Sequence, residues 1–384
     1  MKPKIAVLGG GNGAHAVAAD LTFAGYEVNM FEFPQFKSNF QKVLEKREII
    51  KEGVSPTGVA KIHLATTDIE AAIKGASIIL VIMPAFGQRP AAMAMAPYLE
   101  NGQIIALFPG SGGALEIYRI LQEKGVKKQV TLCEGVTLPY GARMKEPGKV
   151  MVFTEAVILP TGVFPAIRTK ETIPQLKSLY KSIQPAKDVL EAAINNPNPV
   201  VHPAAALLSA TRMEYSKGNF YLYVEGMTPS VARVYEALTR EKIAICDAMG
   251  WRLYHWNNLD PRGYNLGNTL EECNKKILNT SMDSAFGKDS IRVGMKMKGP
   301  ENMRDRYITE DVPYGMVLVS SLGDMLNIPT PVHDSVIELC STINGESYWE
   351  SGRTLEKLGI RKLDKSKLKK FLKDGHVSHT TRLS

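Results

Sequence analysis

Gly9-Gly-Gly-Asn-Gly-Ala14 decides the reading of the first half of this chain. Gly9, Gly11 and Ala14 fit the spacing G-x-G-x-x-G/A. An apolar run, Ile5–Leu8, precedes the loop, and a helical stretch, His15–Phe23, follows it. Strand, glycine turn and helix are the context in which such a loop binds a dinucleotide. Gly9 permits the tight turn, Gly11 lets the backbone approach a pyrophosphate, and Ala14 lets the helix pack closely on the strand. The helix start then offers Asn12, Gly13 and their neighbours as free N–H donors at the positive end of the helix dipole.

A second apolar run, Val28–Phe31, follows, and Glu32 stands at its end, 23 residues after Gly9. An acid about 20 residues on can accept hydrogen bonds from the adenine ribose hydroxyls and repels a 2′-phosphate. Lys37 is the nearest cation and no arginine stands beside Glu32, so NAD is favoured over NADP. A glycine turn in a domain that binds no dinucleotide is the plainer alternative.

Further outward, strand-like runs at Ile78–Met83, Ile104–Phe108 and Val130–Leu132 alternate with helical stretches at Gln35–Lys46, Ile69–Lys74, Ala91–Leu99 and Ala114–Lys124. Several of the runs are apolar throughout, as expected of strands buried on both faces of a parallel sheet. The alternation predicts an α/β, doubly wound domain of the Rossmann type. Two loops at strand ends, Pro84-Ala-Phe-Gly87 and Pro109-Gly-Ser-Gly-Gly113, are candidates to cover the ribose and nicotinamide, and Pro84 joins the cofactor-binding set; ordinary turns would read the same. Val150–Leu159 predicts a last strand or two, and Pro174–Lys187 a closing helix. Asn195-Asn-Pro-Asn-Pro199 is a strong breaker. Beyond it the periodicity is helical, at Val200–Tyr215, Pro229–Ala248, Leu270–Asn279, Val317–Leu326 and Val332–Thr342. The expected domains are 1–190 for the dinucleotide and 191–384, all helical, for the substrate.

The net charge is +8, and between Arg353 and Ser384 ten Lys and Arg face three acids. The basicity therefore belongs to the tail, where Lys365–Lys373 reads as a solvated amphipathic helix with Leu368, Phe371 and Leu372 on one side and no aromatic stacking residues interleaving the charges. That pattern argues against nucleic acid. No apolar run approaches the ~20 residues of a membrane span. Cys133, Cys246, Cys273 and Cys340 are scattered without metal spacing, so no metal is expected, and reduced thiols suit the cytoplasm.

In the second half, His202 lies four residues after Asn198, so the two can share a helix face. A histidine suits the proton that must move when hydride meets a carbonyl or imine, although a structural histidine fits the spacing as well. Asp311 is a candidate to orient the imidazole, and Arg306 to grip a substrate carboxylate in bidentate fashion. A solvated loop of surface ion pairs is the alternative reading of those charges.

Taken together, Gly9–His15, Leu138-Pro-Tyr-Gly-Ala-Arg143, Asn198-Pro-Val-Val-His202-Pro, Arg306-Tyr-Ile-Thr-Glu-Asp-Val-Pro313, Pro329-Thr-Pro331 and Gly352-Arg-Thr-Leu-Glu-Lys-Leu-Gly359 resemble the octopine/nopaline (opine) dehydrogenase family, in the family's order. The resemblance implies a Rossmann domain, then a helical domain, with the active site in the cleft between them. It implies reductive condensation of a 2-oxo acid with an amino acid by NADH or NADPH. It makes His202 the catalytic histidine, Asp311 its carboxylate partner and Arg306 the arginine before it, with Arg143 a weaker candidate for a carboxylate contact. Gly141 and Met144 depart from the family's Leu-Pro-Tyr motif, which leaves substrate choice open. The partners expected are small molecules, with a homodimer allowed. Two rivals differ in class: a hydroxy-acid reductase that needs no amine, and a dinucleotide-binding sensor that turns nothing over.

Overall fold

The computed structural model describes residues 2–54, 56–253, 267–273 and 298–376. Twelve strands are present among these residues: β1 (Ile5–Leu8), β2 (Val28–Phe31), β3 (Glu48–Gly53), β4 (Gly58–Lys61), β5 (Leu64–Thr66), β6 (Ile78–Val81), β7 (Ile104–Leu107), β8 (Thr131–Gly135), β9 (Tyr140–Glu146), β10 (Lys149–Glu155), β11 (Leu159–Phe164) and β12 (Ile183–Pro185). Eight form one sheet in the order β12-β11-β8-β7-β6-β1-β2-β5, parallel except where β11 meets β8. β1, β2, β6 and β7 are buried at every position, which is why they run apolar rather than alternating, with Asn29 of β2 the exception. The order places β1 between β2 and β6, and Leu8 lies level with Phe31 on one side and Val81 on the other. Gly9, Glu32 and Ile82 therefore leave the sheet side by side at the switch point, where open α/β sheets bind ligands.

Contacts divide the chain into two units. One is Met1–Val189 with Lys373–Gly375; the other begins at Leu190 and runs to Leu372 before resuming after Gly375. Among the described residues, helices alone build the second unit, including Asn198–Leu208, Pro229–Met249, Val317–Leu326 and Pro331–Asn344. Its core gathers Val200, Ala204, Leu238, Met316 and Ile337.

Several expectations need correction. The expected helix Pro174–Lys187 is instead a helix at Thr169–Lys177 followed by β12. Gln35–Lys46 divides into a 3-10 turn, Pro34–Asn39, and a helix, Gln41–Lys46. The helix expected from Ala91 starts at Ala85. Val200–Tyr215 breaks at Ser209 into two helices. Leu270–Asn279 lies mostly outside the described residues. The larger surprise is a second sheet, β4-β3-β10-β9, in a stretch where only β10 was expected.

This small sheet explains an oddity of the helix Asn12–Phe23, which is buried at eight of its twelve positions. A helix apolar all round must be covered all round. The large sheet takes one side, and the polar residues on the other side reach the small sheet. Asn12 Oδ1 accepts the Met144 N–H at 2.8 Å, and His15 Nε2 accepts the Gly148 N–H at 3.2 Å. Asp20 pairs with Lys51 Nζ at 2.6 Å and accepts from the Tyr140 hydroxyl. The Lys51 side chain is fully buried, so its removal strands a carboxylate that is itself mostly out of water. Lys51→Ala should lower unfolding free energy by about 2–4 kcal/mol in urea titrations. Lys145→Ala, which breaks an exposed pair with Glu52, should leave the midpoint where it was.

Candidate active site

The glycine loop is shaped by what surrounds it. Gly9 has φ +127°, and a Cβ there would lie 2.2 Å from the Ile82 carbonyl oxygen. Only glycine allows that approach. A Cβ on Gly13 would meet Leu138 at 2.9 Å, whereas one on Gly11 would meet nothing within 4 Å. Ala14 is fully buried. The helix start carries no side-chain cap, which leaves its first-turn donors for an anion. An open flank at Gly11 beside uncapped N–H groups fits a dinucleotide pyrophosphate. Pro84 stands just past β6 at the head of the Ala85–Met95 helix, on the same edge of the sheet.

Glu32 is buried, and its carboxylate already has work within the fold. One oxygen accepts the Gly10 N–H at 2.7 Å and the other accepts its neighbour's, Phe33, at 2.8 Å. Burial raises its pKa, and the two backbone bonds oppose that rise. The second glycine loop is held in the same manner. Fully buried Glu134 accepts the Gly112 and Ala114 N–H groups at 2.8 and 3.0 Å. Nothing in the sequence singles out Glu134, because a glutamate in mid-strand carries no motif. His15, edge-on to Phe40, has Nδ1 at 3.0 Å from the Gly11 carbonyl. With Nε2 accepting from Gly148, the ring is the neutral tautomer that donates through Nδ1, and burial lowers its pKa. It is a structural tie.

In the second unit, His202 and Asp311 come together across 109 residues, with Nδ1 2.7 Å from Oδ2. Two elements set that distance. His202 lies one turn into the helix opened by Asn198-Pro199, and Asp311 immediately precedes a π-helical turn, Val312–Met316. The two elements touch at Gly315, where a Cβ would lie 2.1 Å from Pro199 Cγ. Behind the turn, Arg353 is almost fully buried; its N–H donates to the Pro313 carbonyl at 2.7 Å and its guanidinium lies over the Tyr314 ring. Gly352 also packs against it, its would-be Cβ 2.9 Å from the Pro313 oxygen. Burial raises the Asp311 pKa, and the imidazole beside it pulls it back. Two tyrosines complete the set, Tyr223 from outside every quoted motif and Tyr307 from within Arg306–Pro313. Tyr223 places its hydroxyl 2.8 Å from His202 Nε2, and Tyr307 stacks on the imidazole at 4.0 Å.

Arg306 is not a free clamp. Its Nε and Nη2 both reach Glu310 Oε2, at 2.7 and 2.5 Å, on a side chain that is mostly exposed. Asn198 is half-buried, and its N–H donates to Asn196 Oδ1 at 3.0 Å. Arg143 is exposed on β9 in the first unit, a strand that begins at Tyr140 within the Leu138–Arg143 motif. Of the remaining described histidines, His333 bonds Glu241 at 2.6 Å, His63 lies 3.4 Å from Glu27 and His376 is exposed. His255 and His379 lie outside the described residues. No cluster of three metal-binding side chains occurs among the described residues, and no helix there is long and apolar enough to cross a membrane.

Residues 185–344 match the family described as NAD/NADP octopine/nopaline dehydrogenase, alpha-helical domain. Residues 4–131 match the N-terminus of NAD-dependent glycerol-3-phosphate dehydrogenase. An opine dehydrogenase of Arthrobacter sp. (strain 1C) is 34% identical over 92% of this chain and 94% of its own. The chain belongs to the opine dehydrogenase family. It is an NAD(P)-dependent oxidoreductase, and its reaction is the family's reductive condensation of a 2-oxo acid with an amino acid. Two solved structures share the fold. An octopine dehydrogenase with NADH and pyruvate has a TM-score of 0.71 at 22% identity, covering 99% of this chain and 100% of its own. A yersinopine dehydrogenase with NADP+ has a TM-score of 0.66 at 13% identity, covering 97% and 98%.

The Gly315–Pro199 contact yields a direct test of how the His202–Asp311 pair is held. A proline ring cannot fold out of the way, so Gly315→Ala must push the two elements apart. The variant should lose about 1–3 kcal/mol of stability and most of its turnover, with NADH affinity kept. Wild-type turnover in a stably folded variant would show that the contact does not set the pair.

Proposed function

We propose that His202, oriented by Asp311, moves the proton in this condensation, and that NADH serves in preference to NADPH. The observation that carries the reading is the buried 2.7 Å bond between His202 Nδ1 and Asp311 Oδ2. A carboxylate on Nδ1 fixes the tautomer and stabilises the imidazolium without taking the proton itself. When bound, the dinucleotide supplies the hydride. Gly9, Gly11, Asn12, Gly13, Ala14 and Pro84 form its bed, and Glu32 sets the preference: a buried carboxylate beside Gly10 is a poor neighbour for a 2′-phosphate. Arg306 has spent its Nε–Nη2 edge on Glu310, so Nη1 is the part left to meet the carboxylate of the 2-oxo acid. Asn198, one turn before His202, is the companion contact on that helix.

His202→Ala should cut kcat by about 10²–10⁴-fold with NADH affinity intact. The reading is tested by combining NADH or NADPH with a panel of 2-oxo acids and amino acids and weighing the product. NADH oxidation that needs no amine and yields a hydroxy acid would overturn it. Glu32→Ser should raise kcat/KM for NADPH relative to NADH. An unchanged ratio would remove Glu32 from cofactor choice.

A further inference from the structure

An imidazole has two nitrogens, and in this protein both are occupied. Nδ1 is held by Asp311 at 2.7 Å and Nε2 by the Tyr223 hydroxyl at 2.8 Å. Tyr307 covers one ring face in near-parallel stacking, with an interplanar angle of 16°. Only 13% of the His202 side chain is exposed. A proton leaving the ring has two exits, and one ends at Asp311, a buried carboxylate whose role is to hold Nδ1–H. The other is the phenolic oxygen of Tyr223, itself buried and carried on the short helix Leu222–Glu225.

From this we infer that Tyr223 is a catalytic residue, relaying the proton between His202 Nε2 and the substrate oxygen that leaves as water. The inference rests on the reading of His202 as the acid–base group. A phenol suits the task because it can accept and donate at once. In the condensation, the amine adds to the ketone carbon to give a carbinolamine. Its C–O bond breaks as the nitrogen lone pair forms C=N, and the departing hydroxyl takes the Tyr223 proton and leaves as water. The Tyr223 oxygen takes the Nε2 proton in the same event, so the imidazolium ends neutral and the positive charge passes to the iminium. The hydride that follows from the bound dinucleotide reduces that carbon. Tyr223 finishes protonated, as it began, and the relay runs backward in the oxidative direction.

The test uses the full chain with its working pair of substrates. Tyr223→Phe keeps the ring and removes the relay, so kcat should fall by about 10–10³-fold in both directions, with NADH affinity unchanged. The wild-type solvent isotope effect should report two protons in flight, through a curved proton inventory that becomes linear in the variant. Replacing Tyr223 by a fluorotyrosine, which keeps the hydroxyl and changes only its acidity, should shift kcat and its pH profile. A purely structural tyrosine would not respond in that way. Wild-type or faster turnover in Tyr223→Phe overturns the relay and makes the hydroxyl a cover that substrate displaces; so does a fluorotyrosine variant with an unaltered profile. His202→Asn, run alongside, separates the two claims. Loss there with full activity in Tyr223→Phe fails the relay alone, and full activity in both fails the acid–base reading as well.

Discussion

The carbonyl of Ile82 leaves no room for a side chain at residue 9, and much of the first unit is arranged around that contact. It brings the ends of β1 and β6 together at the sheet's switch point and turns the chain back into the helix Asn12–Phe23. The loop is then fixed from two further sides. Glu32 draws Gly10 toward β2, and His15 ties the Gly11 carbonyl to the β9–β10 turn. Across the sheet, Glu134 holds the other glycine loop with the same chemistry. Buried carboxylates are costly unless they accept several donors, and these two take theirs from loop backbone. The result is a pair of glycine loops held through backbone N–H groups by buried carboxylates, with open space beside Gly11.

The second unit solves a different problem, that of placing two side chains from distant segments within 3 Å of each other. Close packing does it: Gly315 against Pro199 on one side, Gly352 and Arg353 behind the π turn on the other. A π turn is a frequent mark of a functional segment, and here it directly follows Asp311. Together with Tyr223 and Tyr307, this packing leaves the imidazole almost no freedom of position.

The fold was legible where local demand and burial agree. Ile5–Leu8, the glycine loop and Val28–Phe31 declare themselves because each has a fixed periodicity and a backbone need that few residues meet. The small sheet was not legible. Glu48-Ile-Ile-Lys-Glu reads as a solvated stretch, because a lysine is seldom buried. Lys51 is buried on account of Asp20, 31 residues earlier. β12 is three residues ending in proline, too short to carry a pattern. His202 and Asp311 are candidates by residue type alone, and the ordered motifs of the family are what couple them, since nothing local links residues 109 apart. Tyr223 had no signal at all; its bond to His202 exists only once the chain is folded. The Arg306–Glu310 pair was the reverse case: i,i+4 spacing predicts it, yet the arginine was read for its affinity toward a ligand.

Histidine, aspartate and both tyrosines belong to one unit and share its core. As the acid–base set proposed above, these four side chains form a block: its internal distances depend on the helical half alone. Side chains outside that block can be exchanged over generations, altering which amine or oxo acid is accepted, without recalibrating the proton chemistry each time. A lineage built on such a half can diversify its products while the acid stays the same.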